Sequence, residues 1–221
     1  MINTERDRFI QQHIELYGKE LFLGSSSKIS KNKVFESSKI NLLNNLSIFI
    51  NDQFVLSEES IESKVIFGSG DPNADLLIIG ESPSDLELKY NKPFLGKSGK
   101  LLDKILKAIG YNRFSKVYLT HLIKHKIEGS RDPLSSEISK FIPVLKKQIK
   151  IIEPKIIISL GKVVGKALIS ENLSMDRMRS KVHTFCSCPL KITYSPDALM
   201  REQSLKRLAW NDFKFIRDFV K

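Results

Sequence analysis

Cysteine is nearly absent from this chain: Cys186 and Cys188, one residue apart, are the only two among 221 residues. That count excludes a disulfide framework and leaves too few thiolates for a four-cysteine metal centre. Long apolar runs are missing too, since nothing approaches the roughly 18 residues of a membrane span. The N-terminal MINTERDRF has no apolar signal core, so a cytoplasmic protein without a membrane partner is expected. Acidic residues are scarce relative to basic ones. Lys plus Arg number 36 against 25 Asp plus Glu, giving net charge +11 and pI about 9.6. Such a balance favours a polyanionic partner such as DNA or RNA, although a generally lysine-rich composition gives the same sign. The P-loop, clustered metal ligands and the GxSxG elbow are also lacking, which argues against a phosphate-loop NTPase, a metal centre and an α/β-hydrolase.

What is present is enough for one α/β domain with an appendage: 41% apolar and 9% aromatic residues. Phe9, Ile10, Ile14, Leu16 and Tyr17 fall at helix-like intervals, and residues 1–24 are expected to be a docking helix. Residues 25–40, rich in Ser and Lys, read as a polar linker. The main domain is expected over 41–221, opening with an amphipathic helix over Asn41–Leu56, a short strand over Lys64–Phe67 and the turn GSGDPN. From Ala74 the pattern alternates: strands over 76–80, 116–123, 155–160 and 190–194, helices over 98–109, 134–152, 162–170 and 203–219. This βα series predicts a three-layer α/β/α sandwich around a central, mostly parallel four-stranded sheet.

Leu76, Leu77, Ile78 and Ile79 form the continuous apolar run of a strand covered on both faces. Gly80, Glu81, Ser82 and Pro83 then place a carboxylate and a hydroxyl at its carboxyl end, where open α/β sheets hold their ligands. Phe94 enters the same loop between Pro93 and Gly96 before Ser98 opens a helix. The loops GESPSDLE, THLIKHK and YSPDALMR all follow strand ends and are expected to converge on one crevice.

Those loops, in that order, resemble the uracil-DNA glycosylase superfamily, and most closely its family 4 branch. VIFGSGDPNADLLIIGESPSDLE resembles the first motif with its lead-in, and NKPFLGKSGKLLDKIL the segment whose aromatic stacks on an extruded base. VYLTHLIKHKIEGSRDP sits where the family has its base-reading strand, and IEPKIIISLGKVVGKALI resembles the next strand–helix unit. ITYSPDALMREQSLKRLAWNDFKFI resembles the second motif and terminal helix. The departures are as informative. Family 4 carries a four-cysteine iron–sulfur cluster, and the corresponding residues here are Asn51, Phe54, His125 and Phe141, so no cluster or other cofactor is expected. Where the family has an Asn to bond the uracil edge this chain has His121, and Ser195 stands before Pro196 where the second motif has a His.

The resemblance implies a monomeric DNA glycosylase that hydrolyses the N-glycosidic bond of uracil or a related damaged base in base excision repair. Cleavage develops positive charge on the sugar and negative charge on the base, after the base has been flipped from the duplex. Glu81, Glu87 and Ser82 are the candidates for orienting water and stabilising the sugar cation. Gly80, Phe94, Gly96, His121 and Ser195 are candidates for holding the base. Ser98, Lys126, Leu199, Met200 and Arg201 are candidates for DNA contact, Leu199 and Met200 as wedges in the vacated stack. Lys97, Lys100, Lys124, Arg131, Lys206 and Arg207 lie in or beside the same loops and suit a phosphate-tracking rim. Two rival readings stay open: a related protein that binds DNA or a flipped base without cutting it, and a small-nucleotide hydrolase or binding module on a similar sheet.

Overall fold

A computed structural model describes residues 31–55 and 65–221, with side chains from Ser38 onward in the first stretch. The expected docking helix over 1–24, residues 25–30 and Lys64 lie outside the described residues. By its contacts the chain divides into Met1–Phe35 and Glu36–Lys221. In chain order the helices are α1 (Lys31–Val55), α2 (Asp85–Tyr90), α3 (Gly96–Ala108), α4 (Ser135–Ile152), α5 (Lys162–Ile169), α6 (Met175–Arg179), α7 (Pro196–Arg201) and α8 (Leu205–Val220). The strands are β1 (Ser69–Gly70), β2 (Leu76–Gly80), β3 (Val117–His121), β4 (Ile156–Leu160), β5 (His183–Phe185) and β6 (Cys188–Thr193).

The sheet order is β1-β3-β2-β4-β6-β5. Its four inner strands are mutually parallel, which is the expected core, and two short antiparallel strands are added at the edges. Both additions are local. β1 is two residues long and replaces the strand expected at Lys64–Phe67; Val65–Phe67 instead carry no strand assignment, with the Ile66 N–H bonded to Lys124 O at 2.8 Å. β5 pairs with β6 through a two-residue turn in which Cys186 and Ser187 both have positive φ, 52° and 62°. Hairpins of this kind normally advertise themselves by Asn-Gly or Asp-Gly.

Alternate residues of each strand supply two cores. Leu76 and Ile78 pack with Leu102 and Leu106 of α3 and with Phe213 and Ile216 of α8. Leu77 and Ile79 pack with Phe141, Leu145 and Ile149 of α4, Val164 of α5 and Leu43, Leu46 and Ile50 of α1. Each such side chain contributes about 1.5–3 kcal/mol, so the three layers are fixed from both faces of β2. Among the described residues no helix is long and apolar enough to cross a membrane.

α1 takes in residues 31–40, part of the stretch read as a linker. Once Leu43, Leu46 and Ile50 anchor the helix, each preceding residue adds a backbone hydrogen bond at little cost, which polar composition does not prevent. Lys124 also departs from expectation. It is completely buried rather than part of a basic rim. Its ammonium donates to Thr120 Oγ1, Gln148 Oε1 and Phe67 O, all neutral, and burial pushes its pKa down to about 7. In the unfolded chain the group titrates in the ordinary lysine range, so from about pH 7 upward the unfolded state binds more protons and stability rises. The expected slope approaches 1.4 kcal/mol per pH unit, about one proton's worth. Urea unfolding between about pH 7 and 10 should show this slope for the wild type and not for Lys124→Met; equal slopes would contradict the assignment.

Candidate active site

The chain leaves β2 for β3 on one side and returns to β4 on the other, so the crevice of this sheet opens between β2 and β4 at their carboxyl ends. Register fixes what meets there. Gly80 pairs with His121, and Leu160 pairs with Thr193. Beyond those pairs, Leu122 N–H donates to Gly80 O at 2.8 Å, Ile123 N–H to Glu81 O at 2.9 Å and Gly161 N–H to Thr193 O at 2.8 Å. A side chain on Gly161 would reach within 3.7 Å of Ser195 Cβ. The three loops expected to converge therefore follow neighbouring strands at one end of the sheet.

Glu87 is the hub on the first-motif side. It sits in the first turn of α2 and is 6% exposed. Oε2 accepts from the Ser84 N–H at 2.6 Å and the Ser84 hydroxyl at 2.7 Å. Oε1 accepts from the Phe94 N–H and from His121 Nε2, the latter at 3.3 Å. Burial alone would raise its pKa, but the hydrogen bond and charge of His121 and the two Ser84 donors prevail and hold it at about 2. It is a charged, saturated carboxylate that ties the first loop to the end of β3.

Phe94 is held from three directions. Its φ of +54° is left-handed, a conformation that costs a bulky residue energy and must be enforced. Glu87 fixes its N–H, and Arg113 Nη2 fixes its carbonyl at 3.0 Å while Nε bonds Asp103 at 2.6 Å. Gly99 closes the clamp: a Cβ there would lie 1.9 Å from Phe94 O, so only glycine fits. The ring stacks on His121, centroids 4.7 Å apart and planes 24° apart.

The second-motif loop is braced from behind by Asp212 of α8, 6% exposed. Asp212 accepts from Thr193 Oγ1 at 2.7 Å and Arg179 Nε at 2.8 Å, with Lys191 Nζ at 3.5 Å. The Arg179 guanidinium lies over the Tyr194 ring at 4.5 Å. Ser195 follows as N-cap of α7, its Oγ accepting from the Ala198 N–H at 3.3 Å. The cap occupies a lone pair, so the hydroxyl hydrogen stays available to a ligand.

Glu81 and Ser82 are half-buried. The Glu81 carboxylate has no hydrogen bond or ion pair among the described residues, and its pKa is raised by burial and then by Asp132. Gly80 is buried, and a Cβ on it would lie 2.7 Å from both His121 Nδ1 and Phe94 Cζ. Gly96, φ +73°, opens α3, which begins two residues before Ser98. Of the DNA-contact candidates, Met200 and Arg201 are exposed while Leu199 is buried at 2% exposure, a core residue as it stands. Lys126 is exposed and pairs with Asp85; Arg131 forks onto Glu137 at 2.8 Å through both terminal nitrogens. Arg113, Arg179, Lys191 and Asp212 escaped the sequence reading. Asp212 had left a trace, a carboxylate on the apolar face of α8 beside Ala209, Phe213 and Ile216.

The positions that hold iron–sulfur ligands in family 4 do not suit a cluster here. Phe141 is fully buried with His125 against it, rings 5.4 Å apart, and Asn51 is exposed on α1; the Phe54 side chain lies outside the described residues. The two cysteines sit instead at the β5–β6 hairpin, Cys186 exposed and Cys188 buried. No step of the chemistry below passes through a cluster.

The Uracil DNA glycosylase superfamily profile matches residues 67–214. A type-4 uracil-DNA glycosylase of Sulfurisphaera tokodaii is 35% identical over 161 residues, 69% of this chain and 73% of that protein. The Archaeoglobus fulgidus type-4 enzyme is 30% identical over 67% of this chain and 78% of its own length. A DNA polymerase of Bacillus phage SP01 is 29% identical over 70% of this chain but only 16% of the polymerase. Match and fold coincide, since the profile runs from the start of the sheet into the last helix: the chain belongs to the uracil DNA glycosylase superfamily.

Proposed function

We propose that the chain is a DNA glycosylase that hydrolyses the N-glycosidic bond of uracil or a related deaminated base in DNA, as a cytoplasmic monomer in base excision repair. The observation that carries this reading is the grouping of Glu81, the Phe94–His121 stack and Ser195 on strand ends flanking one crevice. Glu81 orients the attacking water and faces the sugar as positive charge develops; burial and Asp132 make it a stronger base than an ordinary carboxylate. Phe94 supplies a flat face worth about 1–3 kcal/mol to a stacked base. Ser195 donates its hydroxyl hydrogen to a base carbonyl on which negative charge accumulates. Ser82 lies close enough in sequence to share the water, Gly80 and Gly96 let the backbone approach, and Met200 and Arg201 meet the DNA.

The test is single-turnover cleavage of a duplex with one uracil, read as abasic product, beside binding to the same DNA. Abasic product supports the reading. A second reading, recognition without excision, is favoured by one feature: Ser195 brings a neutral donor where the family's second motif has an imidazole. It requires tight DNA binding with no product at high protein concentration.

A further inference from the structure

His121 has one ring nitrogen satisfied and one not. Glu87, held ionised, can only accept, so the hydrogen between them belongs to His121 Nε2. In the neutral ring Nδ1 is then a bare lone pair. It is buried and finds no hydrogen-bond partner, and a polar atom stranded in this way costs about 1–3 kcal/mol. A ligand that brings an N–H to it recovers that cost.

The surroundings of Nδ1 are those of a base slot. The imidazole plane is 24° from that of Phe94. A planar base hydrogen-bonded in the plane of the imidazole therefore lies nearly parallel to the Phe94 ring, and one pose meets both demands. Gly80 keeps the approach clear, because any side chain there would collide with Nδ1 and Phe94 Cζ together.

We infer that His121 selects the base by accepting, at Nδ1, a hydrogen bond from a ring N–H of the flipped base. This rests on the glycosylase reading and narrows its substrates to bases with a lactam or imide N–H. Cytosine N3 and adenine N1 are lone pairs and meet the Nδ1 lone pair head-on. Hydrolytic deamination turns these positions into the N3–H of uracil and the N1–H of hypoxanthine. One acceptor thus separates a deaminated base from its parent by the sign of a single hydrogen bond. Guanine, which carries N1–H itself, is not distinguished by this atom. Glu87 is the positioning residue, since it decides which nitrogen bears the hydrogen.

The experiment compares binding of duplexes carrying 2′-fluorinated uridine or cytidine, whose glycosidic bonds resist cleavage, at about pH 8, above the ordinary imidazole range. The wild type should prefer uracil about 10–100-fold, the equivalent of about 1.4–2.7 kcal/mol. His121→Leu should reduce the ratio to about threefold or less, while His121→Asn, which keeps an acceptor, should retain most of it. If leucine unfolds the chain, the wild type decides alone: 3-methyluracil, with no N–H, must bind no better than cytosine. A ratio unchanged in His121→Leu, or 3-methyluracil bound like uracil, overturns the inference. Excision of unmodified uracil, measured alongside, separates the two claims. No cleavage with an intact binding ratio ends the glycosylase reading and leaves the base reader standing; cleavage with a ratio indifferent to His121 does the reverse.

Discussion

Glu81→Gln should lower single-turnover uracil excision by about 10²–10⁴-fold, the usual worth of a positioned acid–base group. Glutamine has the same shape but cannot take a proton from water or face a developing cation with charge. The native carboxylate has no protein partner among the described residues, so the exchange should change stability by no more than about 0.5 kcal/mol. The pH profile gives a second reading of the same group. Only the ionised form acts, and burial with Asp132 raises the pKa above 4.5. Activity should therefore fall on the acid side through a midpoint above that value, and Asp132→Asn should move the midpoint downward. Unchanged excision by Glu81→Gln would remove Glu81 from the chemistry.

Glu87→Ala should cost about 3–5 kcal/mol of folding stability, the loss expected when a buried carboxylate is taken from its donors. The Ser84 N–H, the Phe94 N–H and the His121 Nε2–H would be orphaned together, and the left-handed turn at Phe94 would lose one of its restraints. Excision should fall with it, because both the aromatic face and the base reader hang from this one side chain. Acid unfolding supplies an internal check. The folded pKa of about 2 lies below the ordinary 4.5, so the stabilisation is complete above pH 4.5 and is lost as pH falls through about 2. Urea titrations from about pH 6 to 2 should show a steeper loss for the wild type than for Glu87→Ala. Parallel curves would mean that Glu87 is not the ionised hub described above.

The inner sheet was legible because its strands are uninterrupted apolar runs, as at Leu76–Ile79 and Ile156–Ile158, alternating with amphipathic helices such as α3 and α8. The edges were not. A two-residue strand leaves no periodicity, and the β5–β6 turn uses Cys186 and Ser187 where a sequence reader looks for Gly or Asn. Within the site, loop position alone brought Glu81, Phe94, His121 and Ser195 to notice. What could not be read was direction. Glu87 and Glu81 are both acidic residues of one loop, yet one is saturated by donors and the other has none. Lys124 and Lys126 are two residues apart, yet one is sealed between β3 and α4 and the other is at the surface. Arg113 and Arg179 look like surface charge until Phe94 and Tyr194 are seen beside them. These distinctions depend on long-range packing, which residue spacing does not encode.

The central claim is that the crevice between β2 and β4 receives one base swung out of the duplex. 2-Aminopurine placed next to a single uracil in duplex DNA reports that event, because its fluorescence rises when its neighbour leaves the stack. With Glu81→Gln protein, which should hold the base without cutting it, saturating binding is expected to raise the fluorescence of the uracil duplex and not that of a matched cytosine control. Adding Phe94→Ala should abolish most of the rise. Saturated binding with no change in fluorescence, or the same change in both duplexes, would contradict the account.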